Sequence, residues 1–155
     1  MTGRRMLLAA GLLAAAMGLG VSDVALANDK CGVNTLRGLY VFSATGFIIP
    51  AAPASAQPKA IVEFIRFNGD GTIDGRAATR SLNGVIGQFP DQSGGTGSTY
   101  TVTSLVAGDR GCLGTLTFAG GPHFDLFIPL DGQEIWMIQT DAGNVLQGTV
   151  TKLAN

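Results

Sequence analysis

The chain has 155 residues, 10 Lys and Arg against 11 Asp and Glu, a formal net charge of −1, and only 14% charged residues. It contains no basic run, which argues against nucleic-acid binding, and one histidine with two cysteines cannot furnish a zinc set. Such a length allows one domain around one core, not two.

The opening MTGRRMLLAAGLLAAAMGLGVSDVALAND combines a basic start (Arg4, Arg5), an apolar run from Met6 to Val21 and the small-x-small signature Ala25-Leu26-Ala27. It predicts a secretory signal peptide over 1–27 and a mature domain over 28–155. Ser22-Asp23 breaks the apolar run short of the roughly 20 residues of a membrane span, and no later run replaces it. The paired arginines fit a twin-arginine signal only loosely. Cys31 follows Asn28-Asp29-Lys30 rather than small residues, against a lipid anchor. The chain therefore reads as exported, periplasmic or extracellular, without a membrane span. An oxidising compartment favours pairing Cys31 with Cys112; the rival reading, a reactive thiol, needs a CxxC or a nearby base that the sequence does not offer.

Beyond Cys31 apolar residues recur at period two between glycine-centred turns, the pattern of an all-β domain. Strands are predicted at 37–46, 59–68, 72–82, 98–105, 112–119, 123–130, 133–140 and 144–152. Short turns such as Asp131-Gly132 and Asp141-Ala142-Gly143 join most of them. Eight such strands predict a single eight-stranded antiparallel barrel, because closure removes exposed edges. Two longer connections, Phe47 to Pro58 and Gly84 to Gly97, are read either as lids over the barrel mouth or as plain surface loops.

Alternation sorts the faces. Thr72, Asp74, Arg76 and Arg80 oppose Ile73, Gly75 and Ala77, and Tyr100 and Val102 oppose three threonines, so these strands are wet on one side. The strands carrying Leu39 to Phe42, Ile61 to Phe67, Phe124 to Ile128 and Ile135 to Ile138 are apolar on both faces. In an up-and-down order they adjoin, with the last strand between them, so their outer surface predicts a homo-oligomer.

Glu63 and Arg66 fall on opposite faces of one strand, so one of them points inward, where it would hold a ligand's polar group, act as an acid or base, or serve only packing. Tyr40, Tyr100, Trp136 and His123 complete the set of lumen candidates. Asp125 lies two residues from His123 on the same face, a weak catalytic pattern at a turn. Asn68 to Asp74 offers alternating oxygen ligands, but Ile73 and Thr79 occupy positions where a calcium loop needs glycine and glutamate, so it reads as a hairpin turn.

The pieces RGLYVFSATGF, FNGDGTIDG, GSTYTV, CLGTLTF and EIWMIQTDAGNVLQGTV, from about Leu36 to Lys152, resemble a group of small exported bacterial proteins with a calycin-like barrel, similar to that of allene oxide cyclase and dirigent proteins. The resemblance implies an eight-stranded barrel whose lumen accepts an apolar small molecule; no cofactor is expected. No catalytic residue can be matched. The function read from the sequence is an exported barrel binding an apolar small molecule or a protein partner; the alternative is a cyclase or isomerase acting on a hydrophobic substrate in the lumen.

Overall fold

A computed structural model describes residues 31–90, 97–105 and 110–154. The predicted signal peptide lies outside the described residues. After a short 3-10 turn, Val33–Thr35, come nine strands: β1 Arg37–Ile48, β2 Gln57–Asn68, β3 Ile73–Leu82, β4 Val85–Phe89, β5 Thr99–Ser104, β6 Cys112–Thr117, β7 His123–Ile128, β8 Glu134–Gln139 and β9 Asn144–Lys152. They form one antiparallel sheet in the order β4-β3-β2-β1-β9-β8-β7-β6-β5. The predicted adjacency of the two doubly apolar pairs through the last strand is present in β2-β1-β9-β8-β7. No described helix is long and apolar enough to cross a membrane.

The strand count is nine rather than eight because the second long connection contains β4. Asn83 and Gly84 both have positive φ, 49° and 81°, and form a two-residue hairpin turn of the kind Asn-Gly favours. Leu82 therefore pairs with Val85 and Ala78 with Phe89. The first long connection is shorter than predicted, since the β1–β2 ladder runs out to Ile48 and Gln57.

Strands β1, β2 and β5 to β8 bury alternate residues on one face. β7 buries Phe124, Leu126 and Ile128; β8 buries Ile135, Met137 and Gln139. Among the described residues no second layer covers this face, so the sheet covers it by curling. Ring contacts join strands that are remote in the sheet order: Phe67 of β2 meets Tyr100 of β5 at 5.0 Å, and Phe42 of β1 meets Phe124 of β7 at 5.7 Å. Both are edge-on, a favourable aromatic geometry. Along the β1–β9 ladder the backbones approach closely at Gly148, where a β-carbon would run into the Ser43 carbonyl oxygen. Only glycine permits that approach.

The curl does not produce the predicted closed eight-stranded barrel. β3 and β5 meet only at the bridge of Thr72 with Thr99, where Ile73 N donates to Ser98 O at 3.2 Å and Tyr100 N to Gly71 O at 2.8 Å. Further along, β3 pairs with β4. The hairpin offers β3 a local partner, and a local ladder forms at smaller entropic cost than one to β5.

One end of the curled sheet is plugged. Leu36, Tyr40 and Phe67 are buried there with Tyr100, whose hydroxyl proton is shared between Val33 O at 2.6 Å and Leu36 O at 3.0 Å while its oxygen accepts from Gly69 N at 3.1 Å. The Tyr40 hydroxyl donates to Gly132 O at 3.0 Å. Cys31 is bonded to Cys112, with their Cα atoms 5.6 Å apart, so the plug is tethered to β6. The bridge closes a loop with a sequence separation of 81; chain entropy for such a loop allows at most about 4.5 kcal/mol.

Replacing both cysteines by alanine is expected to lower the unfolding free energy by about 2–4 kcal/mol, read as a lower urea midpoint. An unchanged midpoint would show that the plug needs no tether.

Candidate functional site

Among the described residues no such plug fills the other end of the sheet, and a cavity of about 410 Å³ lies along the β3–β5 seam there. Its apolar wall is Phe42, Ile61, Phe89, Phe118, Phe124 and Leu146; its polar side chains are Glu63, Lys59, Arg80 and Ser98. The size is at the low end of the about 300–1,000 Å³ common for ligand pockets.

Register explains how each charge arrives. Lys59, Ile61, Glu63, Ile65 and Phe67 share the inner face of β2 by simple alternation. Of the two charges that alternation sets on opposite faces, Glu63 is the inward one, 6% exposed, and Arg66 is exposed outside. Arg80 gets there by an irregularity. Glu63 pairs with Ala78 but Ile65 with Gly75, so β3 carries one extra residue at this point. This bulge reverses the parity of β3. Ile73 and Gly75 precede it on the inner face, Ala78 and Arg80 follow on the same face, and the predicted grouping of Arg80 with Asp74 and Arg76 is corrected accordingly.

Burial pushes the pKa of the Glu63 carboxyl from 4.5 up to about 7, with no charge or donor offsetting it. Burial, and then the neighbouring Arg80, lower that of Lys59, while Asp141 acts in the opposite direction. Arg80 lies over the Phe89 ring at 5.5 Å, a cation–π geometry. Its Nε is buried and has no hydrogen-bond partner among the described residues.

A hydrogen-bonded chain reaches the rim from outside. His123 Nδ1 and Asp141 Oδ1 are 2.6 Å apart, Gln139 Nε2 donates to Asp141 Oδ2 at 2.7 Å, and Lys59 Nζ donates to Gln139 Oε1 at 3.4 Å. The partner of His123 is thus Asp141 across the ladder, not Asp125. Hydrogen bonds from the His123 backbone, the His123 ring and Gln139 hold the Asp141 carboxyl down at about 2. His123 itself is exposed and lies outside the cavity wall.

The remaining candidates are dispersed. Tyr40 and Tyr100 point inward but belong to the plugged end, where their hydroxyls are used structurally. Trp136 is 51% exposed on the outer face, so it cannot line the interior. The sequence reading did not single out Lys59, although parity with Glu63 puts it on the same face. Arg80 could not be found by alternation at all. The Asn68 to Asp74 segment is the hairpin turn read from the sequence: Thr72 N donates to Asp70 Oδ1 at 2.9 Å and Asn68 N to Thr72 O at 3.1 Å.

With this geometry in hand, comparison of the chain with protein-family models, curated proteins and solved structures finds no match.

The raised Glu63 value sets a pH dependence. The unfolded chain releases this proton first, so stability is intact below about 4.5, falls as pH rises through the interval, and levels off above about 7. That interval corresponds to about 3 kcal/mol at most. Glu63→Gln removes the titration, so the stability difference between variant and wild type should grow in the variant's favour from pH 5 to 8. Parallel stability curves would place the carboxyl in water.

Proposed function

We propose that this protein is an exported binding module that takes a small, largely apolar molecule into the cavity at the end of its curled sheet opposite the plug. The observation that carries this reading is a concave site walled by Phe42, Phe118, Phe124 and Leu146 with few polar groups among them, the composition typical of small-molecule pockets. Export is supported by the Cys31–Cys112 bond together with the N-terminal pattern of the sequence. The calycin-like resemblance belongs to the same proposal; the up-and-down strand order and the curl support it. For the cyclase or isomerase alternative, the supporting observation is Glu63, whose carboxyl titrates at about 7, where a general acid or base works best.

Native mass spectrometry of the protein purified from its own host should show a co-purifying small molecule. Ala78 is buried in the cavity wall, so Ala78→Phe should fill the space and abolish that adduct while circular dichroism stays that of a β protein. An adduct that survives the substitution would locate binding elsewhere.

Self-association through the outer face is a second proposal, supported by a row of exposed apolar side chains. Phe127 and Trp136 are paired neighbours, 50% and 51% exposed, with Ile138 at 42% and Leu113 beside Phe127. Monomers seldom leave such patches uncovered, and β7 and β8 belong to the surface from which the sequence predicts an oligomer. Sedimentation at micromolar concentration should show a dimer or trimer that Phe127→Ser with Trp136→Ser dissociates. A wild-type protein that stays monomeric at all concentrations would contradict it.

A further inference from the structure

We propose, resting on the binding reading above, that the ligand is an amphipathic anion whose acidic head group is held by Lys59 and Arg80 while its apolar body lies against Phe42, Phe118 and Phe124.

The two cations line the same cavity and act on each other, since Arg80 is one of the causes that lower the Lys59 pKa. Like charges held together in a partly buried site are unfavourable unless an anion joins them. Within the described residues that anion is missing: the ion pairs are Arg76 with Asp74 and His123 with Asp141. Glu63 does not serve, since it forms an ion pair with neither cation among the described residues. Asp141 acts on Lys59 from a distance, as the least of the three influences on its pKa, and its hydrogen-bonded link to Lys59 runs through Gln139.

Arg80 stacks on Phe89, and its Nε–H donates to no acceptor among the described residues. The fork of a guanidinium matches a carboxylate. Lys59 is steadied by Gln139 and keeps two further N–H donors. Behind these groups the wall is mainly aromatic and aliphatic, and its other polar side chains are the neutral Ser98 and Glu63, whose carboxyl burial raises to about 7. A cation would face two positive charges, and a wholly apolar molecule would leave both unpaired.

The test compares three probes with one apolar body, decanoate, decanol and decyltrimethylammonium, by calorimetric titration of the disulfide-bonded exported chain at pH 7. Decanoate should bind about tenfold or more tighter than decanol, the gain of a charge-assisted hydrogen bond, and the ammonium weakest. Lys59→Met with Arg80→Met should bring decanoate to the level of decanol and leave decanol affinity within about twofold, which also shows that the double variant is folded. Equal affinity of wild type for decanoate and decanol would overturn the head-group assignment and leave the binding reading standing. Failure of all three probes to bind would overturn the binding reading itself, and the head-group assignment with it.

Discussion

A β-sheet with one apolar face must put that face somewhere, and here the described chain supplies neither a helix layer nor a second sheet to cover it. The sheet covers itself. Everything else follows from how that curl is finished at its two ends. At one end the 3-10 turn, Leu36 and the paired phenols of Tyr40 and Tyr100 form a plug, and burying the two hydroxyls is tolerable because backbone carbonyls of Val33, Leu36 and Gly132 accept from them. At the other end nothing equivalent is present among the described residues, and the interior opens as a cavity.

The placement of chemistry depends on the same incomplete closure. Had β3 continued along β5, Arg80 would have stood in a sealed wall; instead β3 turns through Asn83-Gly84 to pair with β4, and the seam above Thr72 and Thr99 becomes the cavity's side. The bulge opposite Phe64 then decides which charges look inward. A single extra residue in β3 brings Arg80 onto the side of Lys59 and Glu63. Two cations and a carboxyl of raised pKa come together in a partly apolar space that plain alternation would have given only Lys59 and Glu63.

Much of the architecture is legible in the sequence because period-two alternation and glycine turns are local signals. Each predicted strand is present within a few residues, the pairing of Cys31 with Cys112 is found, and the inward orientation of Glu63 is one of two outcomes that alternation allowed. The ninth strand was also within reach, since Asn83-Gly84 followed by Val85-Ile86 is a strong hairpin signal, but reading Gly84 as the start of a loop hid it. The seam was not legible. Whether β3 closes on β5 or pairs locally is a contest between ladders of different loop length, which alternation does not register. The bulge is equally silent in the sequence, so plain alternation puts Arg80 on the wrong face. Trp136 and Arg66 show the remaining limit: on a strand apolar on both faces, composition cannot say which face is inside.

The sheet curls until β3 and β5 meet at a short bridge and no further. Hydrogen exchange of individual backbone amides, followed by NMR, addresses it directly, because the Ile73 and Tyr100 amides have acceptors, Ser98 O and Gly71 O, only if the two edges meet. Both amides should exchange far more slowly than in a free peptide, together with those of the central β1–β9 ladder. Exchange of Ile73 and Tyr100 at free-peptide rates beside a protected β1–β9 ladder would mean that the sheet is an open layer, contradicting both the curl and the cavity that depends on it.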